Sequence, residues 1–252
     1  GQDRVDAGLL LHRGDSENHF LLQVEPPKHT TPDLIPPRDY VFVLDVSGSM
    51  TGFPLNVAKD LLRDLTNVLR TEDTFNIVTF SGGNEVFSEQ PVHSLPEEVE
   101  RARTFIDKHQ AGGGTELGEA LKCAMALPGG EGRARSIVVV TDGFIGFDKE
   151  TIGLIRSHLG TSNLFAFGIG TSVNRHLIEG MARAGQGEPF IVTQPSEVKE
   201  TAARFRDLVS SPVLTKIRVT AEGCELSGIE PSPHPDVFAN RPLVAADLNE
   251  TS

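Results

Sequence analysis

The sequence predicts an α/β fold: a Rossmann-like, doubly wound sheet of six mainly parallel strands, flanked by a small β unit built from both chain ends. Between residues 38 and 210, short runs of β-branched and aromatic residues alternate with longer segments whose apolar residues recur at helical spacing. Such alternation is typical of a parallel sheet covered by helices on both faces. Proline-rich stretches separate this region from β-like segments at each end of the chain.

The strands and helices of the central region follow from patterning and end signals. Tyr40–Leu44 predicts the first strand, because five consecutive apolar or aromatic residues suit a strand buried on both faces. Pro96 suits the first turn of a helix, and Asn174 and Ser196 suit helix caps. The predicted strands are 40–44, 74–80, 85–88, 136–141, 163–169 and 189–193, and the predicted helices begin near 55, 96, 117, 149, 175 and 196.

Both chain ends predict β structure. Residues 1–25 contain two apolar runs around a turn cluster at 14–18, which is the pattern of a β-hairpin. Residues 213–220 alternate apolar and polar side chains. Because each end has too few strands to be stable alone, we expect the two ends to pack together. The predicted domains are 1–37 (hairpin and proline-rich linker), 38–210 (the α/β domain) and 211–252 (the remaining β segments).

Composition narrows the classes of function. The chain carries 23 Lys and Arg against 35 Asp and Glu, and this net charge of −12 argues against a nucleic-acid partner. No apolar run approaches the length of a membrane span, so no direct membrane insertion is expected. Cys123 and Cys224 form no C-x-x-C motif, so neither a zinc nor a thiol-redox site is predicted. The polar start of the chain shows no signal peptide, and the chain is compatible with a piece of a longer secreted protein.

The loop after the first strand carries three oxygen-bearing side chains at alternate positions. Asp45, Ser47 and Ser49 lie between that strand and the first helix, with Gly48 between the serines. Ligands of open α/β sheets bind at this carboxyl edge. One carboxylate and two hydroxyls suit Mg²⁺, Mn²⁺ or Ca²⁺ better than zinc. Asp and Ser are also preferred helix caps, so this stretch alone is equally compatible with a simple helix start.

Two further loops add oxygen atoms at the same edge. Thr115 follows the glycines at 112–114, which allow close approach to another loop, and Asp142 ends the strand 136–141. Because the carboxyl ends of parallel strands share one edge of a sheet, these residues can converge although they are distant in sequence. The predicted metal ligands are Asp45, Ser47, Ser49, Thr115 and Asp142.

These motifs resemble a known binding site. Asp-x-Ser-x-Ser at 45–49, Thr115 after a glycine run and Asp142 in Thr-Asp-Gly resemble the metal-ion-dependent adhesion site (MIDAS) of von Willebrand factor A domains. The Ser-Gly-Ser-Met form and the flanks before Pro26 and after Pro212 resemble inter-alpha-trypsin inhibitor heavy chains and their bacterial relatives. The resemblance implies that the three hydroxyls bind a divalent cation, foremost Mg²⁺, with the two carboxylates binding it directly or through water.

The resemblance also implies a function. It points to a metal-dependent protein-binding or adhesion module rather than an enzyme, extracellular or at the cell surface. The partner would be a protein or an extracellular-matrix ligand that supplies an acidic side chain. Two alternatives stay open: a metal-assisted hydrolase, for which Glu116 is the one general-base candidate in the site loops, and a structural domain whose metal site is vestigial. The rim that would face the ligand consists of Met50, Gly114, Gly143 and Phe144.

Overall fold

The chain forms two compact units in a computed structural model. One unit is Pro37–Arg206, and the other combines Gly1–Pro36 with Asp207–Ser252. Whether each unit folds as a separate domain, with the boundaries expected at 37 and 211, stays a prediction. The structure describes residues 5–14, 17–26, 36–67, 69–130, 132–143, 148–160, 162–209, 212–214, 217–222, 228–230, 236–238 and 243–247.

Strands and helices alternate along the larger unit, as its patterning predicts. The strands in chain order are β1 (Asp6–Arg13), β2 (Asn18–Glu25), β3 (Arg38–Asp45), β4 (Thr74–Phe80), β5 (Asn84–Val86), β6 (Val92–His93), β7 (Ala134–Thr141), β8 (Asn163–Ile169), β9 (Gln186–Val192), β10 (Pro212–Leu214), β11 (Ile229–Glu230), β12 (Val237–Phe238) and β13 (Leu243–Asp247). The α-helices are α1 (Phe53–Asn67), α2 (Pro96–Asp107), α3 (Leu117–Ala126), α4 (Asp148–His158), α5 (Arg175–Ala184) and α6 (Val198–Val209).

The larger unit is built on one seven-stranded sheet with the order β5-β4-β3-β7-β8-β9, in which β6 also pairs with β4. Five strands run parallel, and the short β5 and β6 pair antiparallel with β4. The predicted mainly parallel sheet is therefore confirmed, with β6 as one additional strand. β6 consists of only two residues, which are too few to show the alternation of apolar and polar side chains by which a strand is predicted from sequence. The parallel strands have the doubly wound order 2-1-3-4-5, whose switch point lies between β3 and β7.

Helices cover both faces of this sheet. Because side chains alternate along a strand, Val41 and Val43 of β3 belong to a core that includes Leu121 of α3, Ile155 of α4 and Leu177 of α5. The opposite face carries an aromatic cluster in which Phe205 of α6 meets three strand phenylalanines edge-on, at ring-centroid distances of 5.2, 5.4 and 5.8 Å. These three are Phe165, Phe167 and Phe190.

The predicted helix caps have different outcomes. Asn174 is confirmed as the cap of α5, because its side chain accepts a hydrogen bond from the Leu177 N–H at 3.2 Å. Ser196 does not cap α6. It lies inside the 3₁₀ turn Pro195–Glu197, where the side chains of Gln194 and Glu197 form a capping box.

The smaller unit combines strands from both chain ends. β1 and β2 form the predicted hairpin, and the sheet order is β1-β2-β13-β11. β13 pairs antiparallel with β2, from Leu243 opposite Val24 to Ala246 opposite Leu21. β10 and β12 form a separate antiparallel pair. The strand expected over 213–220 is shorter than predicted, because residues 217–220 form no strand in the described chain.

The length and apolar character of the helices decide whether any of them could cross a membrane. No described helix combines the length and the apolar character that crossing a membrane requires.

Candidate metal centre

The predicted metal-binding residues lie at the switch point of the sheet. Asp45 is the last residue of β3, and Asp142 directly follows β7. These strands are parallel neighbours, with Leu44 paired to Val140. Helices leave neighbouring strands to opposite faces at such a point, which opens a crevice at the carboxyl edge. The two carboxylates are therefore positioned where this class of fold binds ligands.

Asp45 is fully buried and holds the two neighbouring chain segments together. Its Oδ1 accepts a hydrogen bond from the Ser47 N–H at 2.8 Å, and its Oδ2 accepts one from the Thr141 hydroxyl at 2.6 Å. A carboxylate has about four lone-pair sites, so each oxygen keeps capacity for a cation or its water. Asp45 therefore orients the loop and retains an acceptor at the site.

Burial raises the pKa of Asp45, and the nearby negative charge of Asp142 raises it too. Hydrogen bonds from Ser47 and Thr141 act in the opposite direction without reversing the shift. No cation of the described chain is close enough to lower this pKa. The ionised carboxylates therefore repel each other in a poorly hydrated place, and a divalent cation would relieve that repulsion.

Two serine hydroxyls lie next to this carboxylate. The Oγ atoms of Ser47 and Ser49 are 3.2 Å apart, because the 3₁₀ turn Gly48–Met50 tightens the chain between strand and helix. Ser47 is buried and Ser49 is exposed. The hydroxyl pair therefore extends from the buried Asp45 to the solvent, which gives the site an open side.

A glycine-rich loop packs directly on the loop that carries the serines. The Gly48 N–H donates to the Gly113 carbonyl at 3.2 Å, and the Gly112 N–H donates to the Val46 carbonyl at 2.9 Å. Gly113 has a φ of +79°, which strongly favours glycine. The close approach expected of these glycines is therefore present. It brings the half-buried Thr115, two residues beyond Gly113, to the same edge of the sheet.

The Asp142 loop is held from two sides. The Gly143 N–H donates to the Thr141 hydroxyl at 3.0 Å, and the Asn174 N–H donates to the Asp142 carbonyl at 3.2 Å. Gly143 has a φ of +78°, and a Cβ there would lie 3.1 Å from the Cβ of Asn174. A larger residue at Gly143 would therefore be strained and would displace the start of α5.

The structure corrects one member of the predicted rim. The Met50 side chain is fully buried, because the 3₁₀ turn directs it away from solvent, so it cannot contact a ligand. Gly114 is exposed and Gly143 is buried. Phe144 lies outside the described residues. Metal ligation by Asp45, Ser47, Ser49, Thr115 and Asp142 stays a prediction.

Thr141 is a residue of the candidate site that was not predicted from the sequence. Its hydroxyl donates to Asp45 and accepts from Gly143, so it connects the two carboxylate loops. A hydroxyl at the last position of a strand, directly before Asp142, is a weak signal in sequence. It becomes informative only once β7 is known to be the neighbour of β3.

Replacing Thr141 by Val is expected to destabilise the fold by about 1.5–3 kcal/mol, because a buried hydrogen bond to a charged acceptor is lost at nearly constant volume. Mg²⁺ affinity should fall as well, because Asp45 loses its lateral support. Urea unfolding and calorimetry measure the two effects. Thr104→Val is the control, since that exposed threonine bonds only to a carbonyl of its own helix. Equal effects of the two variants would remove Thr141 from the site.

The raised pKa of Asp45 predicts a pH dependence with a defined sign. A carboxyl group whose pKa is higher in the folded state binds more protons there, so acidification stabilises the metal-free fold through this group. In EDTA, the free energy of unfolding of the wild type should therefore increase relative to that of Asp45→Asn as the pH falls from 7 towards 3.8, the ordinary pKa of an aspartate. The comparison with this variant cancels the contributions of titrating groups that do not interact with Asp45. A difference between the two proteins that stays constant over this range would contradict the prediction.

The donor set can be tested for its fit to a metal. Among the described residues, no three or more His, Cys, Asp or Glu side chains cluster in a way that could hold a metal ion by themselves. The centre instead combines the two carboxylates with hydroxyls. This is an all-oxygen set, which fits hard divalent cations such as Mg²⁺.

Comparisons with known proteins point to the family that the sequence motifs resemble. A von Willebrand factor A domain-containing protein of Dictyostelium discoideum is 27% identical over 209 residues, which cover 82% of this chain and 23% of that protein. An inter-alpha-trypsin inhibitor heavy chain of Pongo abelii is 27% identical over 196 residues, which cover 73% of this chain and 22% of that one. This chain thus spans less than a quarter of the length of either relative. The resemblance to both kinds of protein is confirmed.

The fold is found in solved structures as well. A von Willebrand factor type A protein from Catenulispora acidiphila matches with a TM-score of 0.68 at 16% identity, covering 96% of this chain and 62% of that chain. The family described as von Willebrand factor type A domain matches residues 38–189, more than half of the 252 residues. Sequence and architecture agree, and the chain belongs to the von Willebrand factor type A domain family.

Proposed function

We propose that this chain is a metal-dependent protein-binding or adhesion module that binds an acidic group of its ligand through a divalent cation. The observation that supports the proposal is the buried pair Asp45 and Asp142, which lies beside two hydroxyls 3.2 Å apart at the switch point of the sheet. Mg²⁺ is the cation we expect first, with Mn²⁺ or Ca²⁺ as alternatives. The residues that would hold it are Asp45, Ser47, Ser49, Thr115 and Asp142.

The charges of this set explain why a ligand would bind. Two carboxylates neutralise the charge of a divalent ion, but they cannot fill its coordination shell. The neutral hydroxyl oxygens donate little electron density to the cation, so it stays electrophilic. When bound, the cation supplies an open coordination site, and a carboxylate of the ligand would occupy that site and complete the coordination shell. Ser49 and Gly114 are exposed, so the site is open on the side from which a partner would approach.

The family relationship supports the partner class and the location that we propose. The resemblance to inter-alpha-trypsin inhibitor heavy chains supports an extracellular or cell-surface location. It also supports a protein or extracellular-matrix ligand that carries an acidic side chain, and a binding role rather than a catalytic one.

A metal-assisted hydrolase has less support. It would need a general base beside the cation. Within the described parts of the three loops, at 45–49, 112–116 and 142–143, Glu116 is the one Glu, His or Lys side chain. Glu116 is exposed at the start of α3, and its N–H donates to the Ser81 carbonyl at 2.8 Å. It therefore begins a helix, and no side chain of the described residues positions it.

Two peptides test the proposal. Calorimetry with MgCl₂, MnCl₂ and CaCl₂ first measures cation binding by the wild type. Capped Gly-Asp-Gly and Gly-Asn-Gly peptides then serve as matched probes in NMR titrations, with metal and with EDTA. We expect metal-dependent binding of the Asp peptide alone. Cation binding without any preference for the Asp peptide would overturn the acidic-ligand proposal, and the absence of cation binding would overturn the metal site.

A further inference from the structure

A cleft of about 490 Å³ lies between the N-terminal halves of α3 and α4. Thr115 is one of its lining residues, so the cleft shares a residue with the proposed metal centre. Gly118 lines it from α3, and Thr151 and Leu154 line it from α4. A ligand that reached the cation could therefore extend a second side chain into this cleft.

The cleft carries uncompensated negative charge. Glu116, Glu119 and Glu150 line it together with one cation, Lys122, whose Nζ is 2.8 Å from Glu119 Oε1. Within the described chain, Glu116 and Glu150 form no ion pair. Three carboxylates against one ammonium leave two negative charges on the walls, which attract cationic groups.

Acidic residues in the first turn of a helix are common, because they stabilise the helix dipole, so the carboxylates alone define no site. Thr151 is the independent observation. Its residue is only 5% exposed, it lines the cleft, and its hydroxyl has no hydrogen-bond partner among the described residues. The hydroxyl oxygen is not one of the enclosed, unpartnered side-chain atoms of the described chain, so it is accessible from the cleft, where a donor from a ligand would give it a hydrogen-bond partner.

We propose that this cleft binds the basic side chain, Arg or Lys, of the protein ligand whose acidic group completes the cation. The inference rests on the proposed function, because Thr115 is shared by the metal centre and the cleft. The basic group would donate to Glu116 and Glu150 and to the Thr151 hydroxyl. The recognised segment thus pairs an acidic residue with a basic residue, and wholly acidic segments are repelled.

The first experiment tests the cleft without metal. N-acetyl-arginine amide and its neutral analogue N-acetyl-citrulline amide are titrated into the protein in EDTA and followed by NMR. We expect the arginine probe, and not the citrulline probe, to shift the amide signals of Gly118, Thr151 and Leu154. Equal shifts with both probes, or shifts with neither, would overturn the proposal whatever the metal does.

Two matched variants separate the cleft from its surroundings. Gly118→Met fills the cleft without changing its charge, and a Cβ at Gly118 meets no atom within 4 Å. Gly153→Met is the control, because that exposed glycine of α4 also has open space around its Cβ and does not line the cleft. Arginine binding should be lost in the first variant and retained in the second. Equal binding by both variants would contradict the proposal.

Charge and the hydroxyl are tested in the same way. The change Glu150→Gln should weaken arginine binding about threefold or more, whereas Glu179→Gln on α5 should leave it unchanged. Thr151→Val should weaken binding without lowering the melting temperature, since no hydrogen bond to the described chain is lost. A loss of stability in Thr151→Val with unchanged arginine binding would show a purely structural role.

The last experiment links the cleft to the metal centre. Capped peptides that contain Asp and Arg, or Asp and citrulline, are compared in the presence of MgCl₂. We expect tighter Mg²⁺-dependent binding of the Arg peptide by the wild type and equal binding of both peptides by Gly118→Met. Equal Mg²⁺-dependent binding of both peptides by the wild type would overturn this inference while the proposed function stands. Arginine binding in EDTA without any Mg²⁺-dependent binding would instead overturn the proposed function, and with it the link.

Discussion

Asp45→Asn is expected to remove about half or more of the stabilisation that Mg²⁺ gives to the wild-type protein. A cation at about 100 times its Kd stabilises a fold by about 2.7 kcal/mol, and thermal unfolding with MgCl₂ and with EDTA measures that difference. Loss of the buried carboxylate should weaken cation binding at least about tenfold, or about 1.4 kcal/mol. At the same Mg²⁺ concentration the variant should therefore keep at most about 1.4 kcal/mol of this stabilisation, so its melting temperature should differ between the two solutions by about half as much as that of the wild type, or less.

The behaviour of this variant in EDTA distinguishes a binding defect from a folding defect. Asn keeps an acceptor for the Ser47 N–H and loses the acceptor for the Thr141 hydroxyl. It also removes a buried charge whose ionised form is disfavoured. These effects oppose each other, so the metal-free stability should stay within about 1 kcal/mol of the wild type. Asp60→Asn, at an exposed position of α1, serves as the control and should keep the full Mg²⁺ effect.

An unchanged Mg²⁺ effect in Asp45→Asn would remove this residue from the site. A large loss of stability in EDTA would give Asp45 a structural role that outweighs its role in binding. The two outcomes are separable because one is read with the cation and the other without it.

The strands of the larger unit were predictable because burial on both faces leaves a plain signal. β4 and β8 coincide with the predicted 74–80 and 163–169, and every position of both strands is buried. The order of the strands was less accessible. No local pattern indicates that β3 lies between β4 and β7, because parallel pairing is set by how the crossover helices pack. The switch point therefore emerges only from the assembled sheet.

The candidate site, too, was predictable from the sequence only in part. That Asp45 and Asp142 share an edge follows from their positions at the ends of parallel strands, so sequence suffices for it. The role of Thr141 depends on β3 and β7 being adjacent, which sequence does not specify. The rim position of Met50 was wrong because a 3₁₀ turn follows Ser47, and the direction of a side chain in such a turn is set by tertiary packing.

The packing of strands from the two chain ends against each other was predictable, but their pairing register was not. The β13–β2 pair joins residues from opposite ends of the sequence, with Ala245 opposite Leu22. Only the alternation of buried and exposed residues along β13 indicates which face of that strand packs. Leu243 and Ala245 are buried, whereas Val244 between them is 46% exposed.

This alternation gives the second large effect that we predict. Ala245→Asp should lower the free energy of unfolding by about 3 kcal/mol or more, because it places an unpaired carboxylate at a fully buried position. Val244→Asp is a matched control on the neighbouring residue of the same strand. It carries the same unfavourable β-propensity, up to about 1 kcal/mol, without the burial.

Urea unfolding of the two variants therefore isolates the cost of burial from that of strand propensity. A one-residue slip of β13 against β2 would exchange the two faces of the strand, since side chains alternate with a period of two. In that case Val244→Asp would be the more damaging change. If Val244→Asp were the more damaging variant, the register in which Leu243 lies opposite Val24 would be contradicted. If Ala245→Asp is the more damaging variant, as expected, the result supports this register and the burial of Ala245 that goes with it.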